Sequence, residues 1–109
     1  MRFTQGDIVK VNLDPICGHE QGNFRPVLVL NTLPMPGNIN LVVPITTKQK
    51  TYPLEVVLDN RTSTQGCILC FQMRALDLNA RDAKYVERLP QDLTRECVNY
   101  CKRLISPID

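Results

Sequence analysis

Tryptophan is absent from this chain, histidine occurs once, and aromatic residues make up only 6% of its 109 positions. A single histidine excludes any mechanism that needs two imidazoles. There is no GxGxxG or Walker loop and no GxSxG elbow, which removes the usual marks of dinucleotide, nucleoside-triphosphate and serine-hydrolase chemistry. No apolar run approaches the roughly 18 residues of a membrane span. The N-terminal MRFTQGDIVK lacks the basic-then-apolar layout of a signal peptide, so a cytoplasmic chain without membrane association is expected. Charge of one sign is scarce too: 13 Lys+Arg against 11 Asp+Glu leave a net +2, compatible with nucleic acid but too weak to demand it. Five cysteines, an odd number in a chain with no export signal, read as reduced thiols and not as a disulfide framework.

What remains is the composition of one small globular domain. A hydrophobic fraction of 43% and a charged fraction of 22% are ordinary for such a domain. Residues 1–109 are expected to form it alone, hiding roughly two-thirds of the surface that the unfolded chain exposes.

Periodicity supplies the elements. DIVKVNL, residues 7–13, sets Val9, Val11 and Leu13 on one face and Lys10 and Asn12 on the other, the pattern of a half-buried strand stopped by Asp14-Pro15. A loop over 18–24 leads into PVLVLN, residues 26–31, apolar on both faces like a central strand, with proline admitted only at its first position. LPMPGN, residues 33–38, is turn chemistry. NLVVPI, residues 40–45, is the next strand, and TTKQKTY, residues 46–52, a polar loop. Strands follow over 52–58, centred on LEVVL, and over 66–71, GCILCF. A short excursion covers 73–81, and AKYVERL, residues 83–89, is a last, more exposed strand.

From Pro90 the period changes. Leu93, Cys97, Tyr100, Cys101, Leu104 and Ile105 recur at three- and four-residue spacing, with Pro90 suited to the first helical position and Pro107 closing the segment. The fold class is therefore mainly β with a C-terminal helix: a small, strongly curved antiparallel sheet or barrel with that helix packed on it.

Few residues carry chemistry. Cys67 and Cys70 have CxxC spacing, but residues three apart on a strand point to opposite faces and cannot share a metal ion. Cys97 and Cys101 share a helix face that is apolar, where free cysteine acts as a small hydrophobe. No metal site is expected. Arg25 stands between a loop and a doubly apolar strand, so the sheet should fix its backbone and present a rigid fork of donors to a phosphate. A salt bridge to Glu20 or Asp14 suits its spacing equally well. Thr46 and Thr47, at the end of the strand expected to pair with PVLVL, precede Lys48 and Lys50. Hydroxyls and ammoniums so placed bind phosphate or simply shape a turn. His19 and Glu20 read equally as loop residues held by local hydrogen bonds or as site residues. Spacing alone leaves these alternatives open.

The stretches GDIVKVNLDPICGHEQGNFRPVLVLN, VVPITT, YPLEVVL and GCILCFQMRALDLNAR, in that order, resemble the MazF/PemK (Kid) family of toxin endoribonucleases of type II toxin-antitoxin systems. The resemblance spans nearly the whole chain. It implies an SH3-like antiparallel barrel of the plasmid-maintenance toxin (MazF/Kid/CcdB) type, working as a homodimer and blocked by a cognate antitoxin. It also implies metal-independent, cofactor-free, sequence-specific cleavage of single-stranded mRNA. There the 2′-hydroxyl attacks the adjacent phosphorus, leaving cyclic phosphate and 5′-hydroxyl ends.

By position, Arg25 is the family's catalytic arginine and Thr46 its catalytic threonine, and Glu20 lies where the family places an acid near the RNA. His19, Gln21, Thr47, Lys48, Lys50 and Gln72 are implied RNA-binding residues. The chain departs from Kid-like members at Leu69 and Phe71, where those carry an arginine and an aspartate. Neither side chain here transfers a proton, which implies a changed base role or sequence choice. Two rival functions remain at this stage: a toxin of the same fold that binds protein, as the gyrase poison CcdB does, and a catalytically silent binder of RNA or antitoxin.

Overall fold

The computed structural model describes residues 2–15, 17–18, 20, 23–48 and 53–108. Among the described residues seven strands and one α-helix follow one another: β1 (Asp7–Asn12), β2 (Phe24–Val29), β3 (Ile39–Thr46), β4 (Glu55–Val57), β5 (Cys67–Leu69), β6 (Arg74–Asp77), β7 (Lys84–Arg88) and α1 (Gln91–Ile105), with a single 3-10 turn, Pro36–Asn38, between β2 and β3. All pairings are antiparallel, in the order β4-β5-β3-β2-β1-β7, with β6 also paired to β3. The path is curved but open, with β4 and β7 at its ends.

The expected fold class holds; one further strand is present, and the other differences lie at boundaries. Residues 73–81, read as an excursion, contain β6, whose four residues RALD are too short and too polar to show a period. Thr46, assigned to a loop, is the last residue of β3. Of the strand expected over 52–58, Tyr52 lies outside the described residues and the remainder is reduced to Glu55–Val57, because Leu54 before it takes a positive φ of 66°. Strand β2 begins at Phe24, so Pro26 is not its first residue. It is tolerated because the β2–β3 pairing starts only at Val27, leaving Pro26 with a partner on one side alone, Lys10 of β1. Pro90 caps the helix from outside instead of occupying its first turn.

Pro44 explains how β3 serves three neighbours. On one side β3 pairs with β2 through Val42, Val43 and Pro44. On the other it pairs with β6 up to Val42 and with β5 from Ile45 onward. Pro44 falls in the gap where the partner changes, which is where a residue without an N–H breaks no ladder.

Alternation builds a core on each side of the sheet. Ile8, Leu28, Val43, Ile45, Val56 and Ile68 face α1 and pack with Leu93, Cys97 and Cys101. Val9, Val11, Val27, Val29, Val42 and Leu76 form the second core on the opposite face. Each such fully buried aliphatic side chain contributes roughly 1.5–3 kcal/mol, so the sheet is held from both sides. Arg61 ties the β4–β5 connection to the start of α1, with 2.8 Å and 2.9 Å contacts to Asp59 and Asp92. Glu87 of β7 accepts hydrogen bonds from the backbone and hydroxyl groups of both Ser63 and Thr64. Among the described residues no helix is long and apolar enough to cross a membrane.

Candidate active site

The register that buries Val27 and Val29 also places Arg25. Val27 stands opposite Pro44, and two further residues along each strand bring Arg25 opposite Thr46. All four side chains lie on the face turned away from α1. The Arg25 Nη1 donates to Thr46 Oγ1 at 3.4 Å, a long contact. Thr46 Oγ1 also accepts the Lys48 backbone N–H at 3.2 Å, which turns the chain out of β3. With Oγ1 accepting from both groups, the hydroxyl keeps one hydrogen with which it can itself donate. Arg25 is partly exposed, and Thr46 is only 3% exposed beneath its own turn. Thr47 and Lys48, which form that turn, are exposed.

Two groups complete the row on neighbouring strands. Thr46 pairs with Cys67 of β5, and Cys67 pairs with Val57 of β4. Glu55, two residues before Val57 and on the same face, brings its Oε2 to 3.6 Å from the Cys67 Sγ. Burial, assisted by the Glu55 carboxylate, pushes the Cys67 thiol up to about 11. Cys70 points the other way, and its carbonyl accepts the Cys101 thiol at 3.6 Å. The CxxC pair is thus split between the two faces of the sheet.

Gly66 is the residue that sequence reasoning missed. It has φ 116°, and a Cβ there would lie 2.1 Å from the Thr46 carbonyl oxygen, so only glycine lets β5 start this close to Thr46. Its signal was the glycine ahead of an apolar run.

The remaining expected residues fall elsewhere. Glu20 is exposed, and its Oε1 accepts the Cys17 N–H at 2.7 Å, closing a turn in the loop. The loop's root is firmly tied: Leu13 N–H bonds the Asn23 carbonyl at 2.9 Å, and Asn23 N–H bonds Asp14 Oδ1 at 3.0 Å. Arg74 Nη1 reaches the Leu13 carbonyl at 2.8 Å, and Arg81 Nη1 the Asn12 carbonyl at 2.9 Å. These two arginines, in the segment matched for its family likeness, brace the loop from β6 and the turn after it. The backbone N–H of Gln72 closes the turn after β5 onto the Leu69 carbonyl. Leu69 is buried and Phe71 partly buried on that turn. His19, Gln21 and Lys50 lie outside the described residues.

A strand-end arginine in contact with a threonine places a guanidinium and a hydroxyl, two groups able to donate to an anion, side by side on one face of the sheet. The same fold occurs in MazF from Deinococcus radiodurans, with a TM-score of 0.90 and 31% identity over 98% of this chain and 99% of that one. It recurs in a MazE-MazF complex from the same organism, with a TM-score of 0.83 and 31% identity over 96% of each chain. Endoribonuclease PemK of Escherichia coli is 34% identical over 114 aligned positions, covering 95% of this chain and 83% of PemK. Endoribonuclease toxin MazF of Escherichia coli strain K12 is 38% identical over 80, covering 72% of this chain and 71% of that protein. Residues 4–105 match the family model described as PemK-like, MazF-like toxin of type II toxin-antitoxin system. The chain belongs to that family.

Proposed function

We propose that this toxin cuts single-stranded RNA at short sequence motifs, with no metal ion or cofactor, through attack of a ribose 2′-hydroxyl on the adjacent phosphorus. That it is an endoribonuclease follows from its family and from relatives named as endoribonucleases. The chemistry of the cut rests on the Arg25–Thr46 contact across β2 and β3.

In that reaction the bond from O2′ to phosphorus forms and the bond from phosphorus to O5′ breaks. The 2′-hydroxyl proton leaves to a base, and O5′ takes one up. Negative charge builds on the non-bridging oxygens as this happens, and a guanidinium fixed by the sheet stabilises it without first having to reorganise. Thr46 orients that guanidinium. It donates its own hydroxyl hydrogen to the phosphate once the covering turn at Thr47 and Lys48 shifts. Glu20, freed from Cys17 by movement of its loop, is the carboxylate assigned to the 2′-hydroxyl proton. His19, Gln21, Thr47, Lys48, Lys50 and Gln72 complete the RNA contacts, the lysines through the backbone charge. Unstacked bases and a free 2′-hydroxyl account for the single-strand preference.

The toxin acts in the cytoplasm as a homodimer and is inhibited by a cognate antitoxin. Support for the antitoxin comes from the MazE-MazF complexes, which share this fold. Support for the dimer comes from an apolar groove of about 170 Å³ between α1 and the sheet, lined by Leu30, Leu41, Met73, Val98 and Ile105.

The test is purified toxin mixed with RNA of mixed sequence in EDTA. Fragments whose 5′ ends accept phosphate from a polynucleotide kinase without prior dephosphorylation are expected, and none with Arg25→Ala. Intact RNA at high toxin concentration would falsify the nuclease reading.

A further inference from the structure

The row on the site face continues past the two residues assigned to the phosphate. Arg25, Thr46, Cys67 and Glu55 come from four adjacent strands, β2, β3, β5 and β4, and share one face. Cys67 is fully buried and forms the floor between Thr46 and Glu55. Glu55 is partly exposed at the far end, and Val57 beside it is 53% exposed. Among the described residues, the only hydrogen-bond partner recorded for the Glu55 side chain is the thiol of Cys67. A thiol is a weak donor, so this carboxylate keeps most of its accepting capacity for something else.

From Thr46 on β3 to Glu55 on β4 is two strand spacings across and two residues along, about 12 Å. That is comparable to the reach of a nucleotide from its phosphate to the outer edge of its base. A phosphate held at Arg25 and Thr46 therefore brings a neighbouring base to Glu55. An ionised carboxylate only accepts hydrogen bonds, so it welcomes a base edge that carries an exocyclic amino group. Adenine, cytosine and guanine carry one. Uracil does not: the one donor on its pairing edge, N3–H, is flanked by two carbonyl oxygens, whose partial charges oppose the carboxylate. Exposed Val57 gives the flat face of the same base an apolar surface.

We propose that Glu55 is a specificity-determining residue of this endoribonuclease, selecting an amino-bearing base over uracil at one position beside the scissile phosphate. The proposal rests on the RNA-cleaving reading of the Arg25–Thr46 site and deepens it. Glu55 does not act on the reacting atoms, so its removal changes which sites are cut more than how fast the best site is cut.

The experiment compares cleavage maps of wild type, Glu55→Gln and Glu55→Ala on one randomised single-stranded RNA pool, with thermal unfolding of each protein as a check on folding. Wild type is expected to exclude uracil at one position flanking the cut. Both variants are expected to relax that exclusion at least tenfold while keeping within a few-fold of the wild-type rate at the best site. Glu55→Gln retains the shape and partial accepting capacity of glutamate, so it serves where the alanine variant folds poorly. Unchanged base preference at every flanking position in a folded variant overturns the assignment, as does free acceptance of uracil there by the wild type. A wild type that cuts nothing overturns the nuclease reading itself, which keeps the two failures apart.

Discussion

On the helix side of the sheet, Ile8, Leu28, Val43, Ile45 and Ile68 meet Leu93 and Cys97, and every one of these is buried. On the opposite side, Val9, Val27, Val29 and Val42 run along the same strands and are equally buried, but at one end the row gives way to Arg25 and Thr46. Both faces are drawn from one alternating pattern. The helix face is closed by a dedicated element, whereas the other face stops short of closure and leaves polar groups at its rim. The lesson is that the position of Arg25 is inherited from the packing of Val27 and Val29, two and four residues further along β2. Register fixes where the Arg25 side chain starts, and contacts such as that with Thr46 orient its guanidinium.

The largest test of this contrast removes the charge at the rim. Arg25→Ala is expected to lower RNA cleavage by at least about 10³-fold while leaving the melting temperature near that of wild type, because the residue is partly exposed and stands beyond the core. Thr46→Ala is expected to cost about 10- to 100-fold, since it removes the orienting oxygen and one donor but keeps the guanidinium. Single-turnover rates on one oligonucleotide check both. Equal losses in the two variants would make Thr46 as central as Arg25, and a collapse in stability for Arg25→Ala would remove the distinction between rim and core.

Gly66→Ala strikes where the two faces share a backbone. The added carbon meets the Thr46 carbonyl and forces a positive-φ residue to carry a side chain, so β5 must move away from β3. A destabilisation on the order of 3 kcal/mol is expected, accompanied by loss of cleavage as Thr46 moves. Denaturant unfolding reads the first effect. A variant as stable and active as wild type would show that the close approach of β5 to Thr46 is not required.

How much of this was legible in the chain follows from the same geometry. Period-two alternation revealed β1, and continuous apolar runs revealed the core of β2 and the buried run of β3, because burial on one or both faces leaves a mark on every residue. The C-terminal helix was legible from the spacing of Leu93, Cys97 and Cys101. Strand β6 was not, since a four-residue strand with Arg74 and Asp77 at its ends has no room for a period. The Arg25–Thr46 pairing needed the register of β2 against β3, a long-range fact that no local pattern carries. Family likeness named both residues. It could not say that Thr46 would end a strand and lie covered by its own turn, nor that Cys67 and Glu55 would extend the row.

A smaller effect separates the helix-side braces from the site. Burial acts on the Glu87 carboxyl to raise its pKa, but the hydrogen bonds from Thr64 and Ser63 outweigh it and hold the group at about 2, below its ordinary value of 4.5. A group depressed on folding stabilises the native state above its unfolded pKa, and that contribution disappears as pH falls from about 4.5 toward 2. Glu87→Gln should therefore cost about 1 kcal/mol at neutral pH, and part of the acid sensitivity in that window should vanish with it. Melting temperatures between pH 2 and pH 7 check the slope. Cleavage at neutral pH should be unchanged, because the brace holds the β4–β5 connection and not the β2–β3 rim.

The cysteines report on the two faces with the least disturbance. Cys17 is exposed in the loop, whereas Cys67 lies on the site face and Cys70, Cys97 and Cys101 on the helix face, all four buried. The thiolate is the reactive form. With Cys67 pushed up to about 11, with the lowering effect of Cys101 on Cys70 outweighed by Cys97 and burial, which raise it, and with Cys101 raised by Cys70 and burial, reaction with a water-soluble disulfide reagent at neutral pH should consume one thiol per native chain rapidly. All five should react once the chain is unfolded. Glu55→Gln sharpens the contrast: removing the neighbouring negative charge lowers the Cys67 pKa toward its ordinary value and should speed that slow thiol several-fold, while the helix-face thiols stay as they were. If Cys70 or Cys101 accelerates instead, the two faces communicate through β5 and the separation drawn between them fails.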